Sequence, residues 1–273
     1  MTPGLVDCHA HLEHFDIPSE DLEEYLARSG IDSILSAGTD LASSRASLEL
    51  AARSSKVLGA VGLHPWQVAR GWPIAETRNA FDALASDPRC VAISEVGLDT
   101  AACDVPLDLQ KQALSWFIEL AQRNSLPMVL HLQVPVATLL EVWSSVDGRM
   151  PRAAIHGFYG DAADAQLLLE NGFVLSLGTV TTGLMAGGPP VADDVIRLIP
   201  DGSLLLDSDA YVPKALADTP SLTSDLRGWL KEAGPLEVGS LRSVAEYIAR
   251  VRGVSVEEIA AIVSRNFTSF IGK

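Results

Sequence analysis

The feature of this 273-residue sequence that most constrains its fold is an alternation between short apolar runs and segments of helical periodicity. A buried strand followed by an amphipathic helix is the repeating unit of parallel α/β proteins. We predict strands over residues 5–9, 31–36, 57–61, 91–95, 128–131, 153–156, 173–177 and 204–209. Eight such units in a chain of this length predict a single-domain (β/α)8 TIM barrel covering residues 1–273.

The helices are predicted from periodicity and from the residues that begin and end helices. Ser43 or Ser44 is expected to cap a helix that reaches Arg53. Ser255 and Glu258 form the capping box of a last helix, which is expected to end near Arg265. The other predicted helices cover residues 19–28, 77–85, 107–124, 136–143, 161–171, 193–199 and 241–252, and residues 211–239 are predicted to be loop and short helix.

An open, doubly wound α/β sheet is the alternative architecture. Such a sheet rarely needs eight strands at this spacing. No GxGxxG or GxxxxGK[ST] phosphate-binding loop follows any of the predicted strands. The sequence therefore favours the closed barrel over the open sheet.

Cysteine usage and hydropathy indicate the cellular compartment. Cys8, Cys90 and Cys103 form no CxxC pair, and an odd number of cysteines suits a reducing compartment better than a disulfide framework. No apolar run reaches the roughly 18 residues that span a bilayer, and the N-terminus lacks the features of a signal peptide. We therefore expect a cytoplasmic protein without a membrane association.

The charge balance restricts the class of partner. The formal net charge is −15, from 35 acidic and 20 basic residues. Tight binding to a long polyanion needs many Lys and Arg contacts, so extensive binding of duplex DNA is disfavoured. A nucleotide or a single-strand end remains a possible substrate if metal ions supply the positive charge locally.

The histidines follow the strand pattern. Of the six histidines, five lie at or just after the ends of predicted strands: His9, His11, His64, His131 and His156. Glu95 and Asp209 also end predicted strands, and only His14 falls outside the pattern. Because the carboxyl ends of the strands of a TIM barrel form one rim, these side chains are expected to converge on one mouth.

Each of these residues taken alone has an ordinary structural explanation, but four histidines and two carboxylates on one rim are hard to explain by packing. Imidazole and carboxylate ligands suit Zn²⁺, Mn²⁺, Fe or Ni and disfavour Ca²⁺, with Mg²⁺ as a further candidate. Six ligands are too many for one tetrahedral ion. They are enough for two divalent ions about 3.5–4 Å apart with a bridging water.

The same residues resemble a known family, the TatD-like metal-dependent hydrolases of the amidohydrolase superfamily. The opening DCHAHL at residues 7–12 is similar to the DxHxHL motif of that family. The likeness continues through GLHP at 62–65, SEVGLD at 94–99, PMVLH at 127–131, IHGFYGD at 155–161, LLDSDA at 205–210 and NF at 266–267. The order and spacing of these pieces match along nearly the whole chain.

The resemblance implies roles for individual residues. His9, His11 and Asp209 would bind one divalent ion, His131 and His156 would bind the other, and Glu95 would bridge the two. Asp209 would also orient or deprotonate the attacking water, which places Asp209 and Glu95 in the catalytic machinery. His64 corresponds to the histidine of the GxHP motif and is expected to shape the pocket or contact substrate rather than bind metal.

The departures from the family pattern fall on the substrate side. Gln133 stands where the family has an arginine, so a fixed cation that could face a phosphate is missing, and we expect Gln133 to contact substrate. Residues 207–211 read DSDAY where the family has ETDAP, which keeps Asp209 but changes its neighbours. An Arg-Asn-Glu-Pro segment is not recognisable between Tyr211 and Leu236.

The implied activity is hydrolysis of phosphodiesters by a metal-activated water, as in a DNase or a 3′-exonuclease. One alternative is a hydrolase of a small ester, lactone or cyclic amide, which the same centre could cleave. A second alternative is a TatD-like subunit of a multi-protein system, such as an anti-phage defence complex, in which activity is gated by protein partners.

Overall fold

Eight strands form one sheet in this computed structural model, which describes residues 4–15, 17–18, 21–72, 74–179, 183, 191–216, 219–232 and 237–272. Each strand pairs in parallel with the next along the chain. The strands are β1 Leu5–Ala10, β2 Ile31–Ser36, β3 Val57–Val61, β4 Cys90–Asp99, β5 Met128–Gln133, β6 Ala153–Ile155, β7 Val174–Leu177 and β8 Leu204–Leu206.

Two backbone hydrogen bonds join the first strand to the residues that follow the last one. The His11 N–H donates to the Ala210 carbonyl at 2.8 Å, and the Asp209 N–H donates to the His9 carbonyl at 3.1 Å. Sequential strand order with this closure is that of a (β/α)8 barrel, which confirms the predicted fold. A doubly wound sheet would reverse its strand order partway, and this sheet does not.

Twelve α-helices fall within the described part of the chain, and most of them surround the barrel. They are α1 Leu22–Arg28, α2 Leu41–Ala51, α3 Val68–Gly71, α4 Ala75–Ala85, α5 Leu107–Asn124, α6 Val136–Ser145, α7 Ala162–Glu170, α8 Asp193–Leu198, α9 Pro213–Leu216, α10 Ser224–Glu232, α11 Leu241–Arg252 and α12 Val256–Ile271. None of the described helices is both long and apolar enough to cross a membrane.

Several predicted boundaries are wrong. Helix α2 is capped by Asp40, whose carboxylate accepts from the Ser43 N–H at 2.8 Å, so Ser43 belongs to the first turn and is not the cap. Strand β4 continues past Glu95 to Asp99, because residues 97–99 pair with residues 131–133 of β5. The predicted start of the first helix at Ser19 and Glu20 lies outside the described residues.

The last helix extends beyond its predicted end at Arg265. The capping box of Ser255 and Glu258 forms as predicted, and α12 then runs to Ile271. Phe267 and Phe270 continue the buried stripe of this helix at helical spacing, and both are almost fully buried against the barrel. Burial of these two rings explains why the helix does not stop near Arg265.

The three cysteines lie in the core as free thiols. Burial raises the pKa of the Cys90 thiol to about 12 and that of Cys103 to about 11. Thiolates are therefore scarce at neutral pH, and these cysteines have a packing role rather than a redox role.

We predict that Phe270→Ala lowers the free energy of unfolding by about 3–5 kcal/mol, because it removes a buried ring from the extended end of α12. The neighbouring Ser269→Ala, at an exposed position, should change it by less than about 0.5 kcal/mol. Urea unfolding followed by circular dichroism measures both changes. Equal, small effects of the two substitutions would contradict the packing role of the extended helix.

Candidate metal centre

All six predicted ligands meet at the carboxyl ends of the strands. His9 and His11 lie at the end of β1, Glu95 lies in β4 and His131 lies in β5. His156 directly follows β6, and Asp209 lies three residues beyond Leu206, the last residue of β8. The side chains of His9, His11, Glu95 and His156 are almost completely buried, that of His131 is 11% exposed and that of Asp209 is 22% exposed.

The Glu95 carboxylate is the hub of this cluster, and its two oxygens face different groups of imidazoles. Oε1 lies 2.7 Å from His156 Nε2 and 2.9 Å from His131 Nδ1. Oε2 lies 3.3 Å from His11 Nε2 and 3.5 Å from His9 Nε2. A carboxylate with one oxygen toward each group has the arrangement of a bridging ligand between two cations.

Asp209 completes the group on the Oε2 side. Its Oδ1 lies 3.6 Å from His11 Nε2 and 3.7 Å from His9 Nε2. His9, His11 and Asp209 place one possible ligand atom each within 4.8 Å of one another, as do His9, Glu95 and His156. The backbone of Asp209 is in the left-handed region with φ +47°, a strained conformation for a residue other than glycine.

Hydrogen bonds fix which ring nitrogen of His11 and His131 faces the cluster. The His11 Nδ1–H donates to the Ala37 carbonyl at 3.1 Å, so the lone pair of the neutral ring is on Nε2, toward Glu95 and Asp209. His131 is held the other way, with Nε2 donating to Asp99 Oδ2 at 3.2 Å and Nδ1 toward Glu95. Such outer contacts orient imidazoles for metal binding.

His64 has the opposite arrangement, although its Nε2 lies only 3.3 Å from Glu95 Oε1. The Trp66 backbone N–H donates to His64 Nδ1 at 3.2 Å, so the neutral ring carries its proton on Nε2. That nitrogen is then a donor toward Glu95 and has no lone pair for a metal. His64, Glu95 and His131 are close enough to form a third ligand group, but this tautomer favours a role for His64 outside the metal shell.

The buried ring of His9 provides a test of whether a metal fits. Its Nδ1 contacts the Ser94 hydroxyl at 3.2 Å, whereas its buried Nε2 makes no hydrogen bond to any residue that the structure describes and points at Glu95 and Asp209. A buried polar atom without a partner costs about 1–3 kcal/mol. A divalent cation between His9, His11 and Asp209 would satisfy that nitrogen, so the residues fit a bound metal.

The pKa shifts of His9, Glu95 and His131 also fit a bound cation. Burial lowers the pKa of His9 to about 3, which keeps the ring neutral as a ligand must be. Burial would raise the pKa of Glu95, but the surrounding imidazoles outweigh it and hold that pKa well below its usual range. Burial opposes protonation of His131, yet its hydrogen bonds to Asp99 and Glu95 raise its pKa to about 10. A cation at Nδ1 would replace that second proton.

Asp99 is a site residue to which the sequence analysis gave no role. Its Oδ2 accepts from Trp66 Nε1 at 2.6 Å and from His131 at 3.2 Å, and its Oδ1 accepts from the Ala101 and Ala102 N–H groups, both at 2.8 Å. Its position four residues after Glu95 on one strand is the signal that could have revealed it, because side chains an even number apart share a face.

Asp7 is a second overlooked residue, and it fixes the backbone beside Asp209. Its Oδ2 accepts from the Ser208 hydroxyl at 2.6 Å, and its Oδ1 accepts from the Ser208 N–H at 3.0 Å. Burial raises the pKa of Asp7 to about 8. Through these bonds β1 sets the position of the chain that carries Asp209.

Gln133 lies at the end of β5, where it accepts a hydrogen bond from the Tyr159 hydroxyl at 2.6 Å. His14, the histidine outside the strand pattern, stacks on His11 with ring centroids 5.4 Å apart. It also lies 3.8 Å from Glu13, which in turn lies 3.6 Å from His11 Nδ1. Gln133 and His14 therefore border the cluster without facing Glu95.

Comparison of the sequence with known proteins identifies the family of this chain. A sequence model described as TatD related DNase matches residues 6–272. The "Uncharacterized metal-dependent hydrolase TatD" of Mycobacterium tuberculosis is 29% identical over an alignment 275 residues long, gaps included, which covers 96% of each chain. The "3'-5' ssDNA/RNA exonuclease TatD" of Shigella flexneri is 26% identical over 264 residues, which cover 93% of this chain and 94% of that protein.

Among solved structures, the TatD homologue YjjV from Escherichia coli superposes with a TM-score of 0.80 at 24% identity, and the match covers 100% of both chains. A hydrolase of the TatD family from Entamoeba histolytica gives a TM-score of 0.77 at 16% identity, with coverage of 99% of this chain and 98% of the other. These likenesses support the barrel fold, and the family match extends over nearly the whole sequence. The chain belongs to the TatD related DNase family.

Proposed function

We propose that this protein is a divalent-metal-dependent hydrolase of phosphodiesters that removes nucleotides from the 3′ end of a single strand. The observation that carries the proposal is the two-sided contact of Glu95 with two groups of imidazoles. Two-metal centres of this kind serve in-line displacement at phosphorus. Relatives named as single-strand DNA/RNA exonucleases support the choice of substrate.

In this proposal each predicted ligand has a defined place. His9, His11 and Asp209 would hold one ion, His131 and His156 would hold the other, and Glu95 would be a ligand of both. When bound, two divalent ions would neutralise charge on the phosphoryl oxygens and lower the pKa of a water molecule. The native metal is one of Zn²⁺, Mn²⁺, Fe²⁺, Ni²⁺ or Mg²⁺, according to the donor set.

The exposures of the two carboxylates distinguish their roles. The Glu95 side chain is 4% exposed and surrounded by imidazoles, which suits it to bridge two ions rather than to take a proton at the mouth. The Asp209 side chain is 22% exposed, so one oxygen can accept a proton from the attacking water at the mouth. Asp7 and Ser208 hold Asp209 in position for that transfer.

The missing arginine and the net charge of −15 also fit a small uncharged substrate, namely an ester, lactone or cyclic amide. The two substrate classes differ in a direct assay. The metal-loaded protein should shorten a 5′-labelled single-stranded oligonucleotide stepwise from its 3′ end, and chelation should abolish the reaction. Hydrolysis of lactones or cyclic amides without any action on phosphodiesters would contradict the proposal.

In the same assay, Asp209→Asn should reduce the rate by about 10²–10⁴-fold, because the amide cannot take the proton of the attacking water. Most of the metal should remain bound, since the amide oxygen is still a ligand. Asp193→Asn, which changes an exposed carboxylate on α8, is the matched control and should keep full activity. Full activity of Asp209→Asn would rule out the role assigned to this residue.

The tautomer of His64 leads to a further prediction. His64→Ala should keep the metal content of the wild-type protein and lower kcat/KM, because the Nε2–H donor is lost and no ligand is lost. His131→Ala should instead lose about one equivalent of metal. Elemental analysis of both variants makes the comparison, and an equal loss of metal from the two would show that His64 is a ligand after all.

A further inference from the structure

A pocket of about 280 Å³ opens beside His156 at the ends of β5 and β6. Leu132, Val134, Ile155 and Phe158 form the apolar parts of its walls, and His156, Gln133 and Tyr159 add polar groups. Among the residues that the structure describes, no lysine or arginine lines the pocket, whereas Asp164 contributes a carboxylate to it. Positive charge at this pocket would come from the metal centre beside His156, so the rest of the lining is suited to an uncharged group.

The polar groups of the pocket lie at its edge. The Tyr159 hydroxyl donates to Gln133 Oε1 at 2.6 Å, which occupies the amide oxygen and directs the Gln133 NH₂ group away from the tyrosine. Gln133 thus offers donors, and the Asp164 carboxylate offers acceptors. Apolar walls with donors and acceptors at the rim match a flat ring system that has apolar faces and a polar edge.

Tyr159 presents an aromatic ring to solvent beside this pocket. Its residue surface is 49% exposed, and its hydroxyl is bonded to Gln133, which also lines the pocket. The loop that carries it is fixed on one side by Gly157, whose φ is +53° and whose N–H donates to Asp207 at 2.9 Å. On the other side a Cβ at Gly160 would lie 2.9 Å from the ring of Phe158, so the loop packs closely there. The phenol ring is therefore held in place at the mouth of the pocket.

We propose that this pocket binds the base of a nucleotide next to the scissile phosphodiester, with the Tyr159 ring stacked on the base and Gln133 donating to its edge. This assignment rests on the proposed function, because it places a nucleotide at the metal centre beside His156. A base presents the apolar faces and polar edge that the lining requires, and stacking on an aromatic side chain accepts any base. Stacking in this pocket would thus add affinity for a nucleotide, although Gln133 stands where the family has an arginine.

The test compares two small ligands that differ only in the base. Isothermal titration calorimetry of the metal-loaded protein with dAMP and with 2-deoxyribose 5-phosphate should show dAMP binding at least about tenfold more tightly, as expected for one stacked base. Tyr159→Ala should abolish this preference while binding of 2-deoxyribose 5-phosphate stays unchanged. Tyr159→Phe should keep most of the preference because the ring remains.

The matched control is Leu167→Ala, which truncates another exposed hydrophobic residue, on α7, and should leave the preference intact. Equal affinity for the two ligands, no binding of dAMP, or an unchanged preference in Tyr159→Ala would each overturn the assignment. Failure of the proposed reaction has a different signature. In that case dAMP would still bind in preference to the sugar phosphate, and oligonucleotides would not be cleaved.

Discussion

The contact of one buried carboxylate with imidazoles on both of its sides is the interaction on which the rest of this site depends. Glu95 is buried in β4, and its two oxygens divide the surrounding histidines into two groups. A buried anion is stable only if cations or donors surround it closely. His131 and His156 lie within hydrogen-bonding distance of this carboxylate, whereas His9 Nε2 has no hydrogen-bond partner within the described part of the chain. A bound divalent ion would satisfy both that nitrogen and the carboxylate.

The barrel makes this arrangement possible because it brings the ends of distant strands together. The bonds between His11 and Ala210 and between Asp209 and His9 close the sheet, and they also set the distance between the two halves of one ligand group. Asp7 strengthens the same junction through Ser208. The hydrogen bonds that close the barrel therefore also hold the metal ligands together.

The strand pattern was sufficient to predict the barrel, since β2 and β3 have their predicted bounds and every predicted ligand lies on the expected rim. The sequence could not show how the rings are oriented. The tautomers of His11, His64 and His131 depend on Ala37, Trp66 and Asp99, which lie far from them or have no recognisable pattern. The role of Asp7 depends on Ser208, which lies far away in the sequence, whereas the spacing of Asp99 from Glu95 on one strand is a signal that the sequence does offer.

The residues of the substrate pocket were less predictable than the metal ligands. Gln133 stood out in the sequence as an exception to the family pattern, but its link to Tyr159 depends on the packing of two neighbouring loops. The predicted end of α12 is wrong because the helix signals near Arg265 are weak. The burial of Phe267 and Phe270 extends the helix to Ile271. Local signals fix the presence of an element, and tertiary contacts fix its extent.

The most direct test of the account is the number of divalent ions bound by the reconstituted protein and by Glu95→Ala, measured by elemental analysis. We predict about two equivalents in the wild type and a marked loss in the variant, because Glu95 would be the ligand shared by both ions. A wild-type protein that cannot be loaded with metal, or a variant that keeps both ions, would contradict the central role of Glu95.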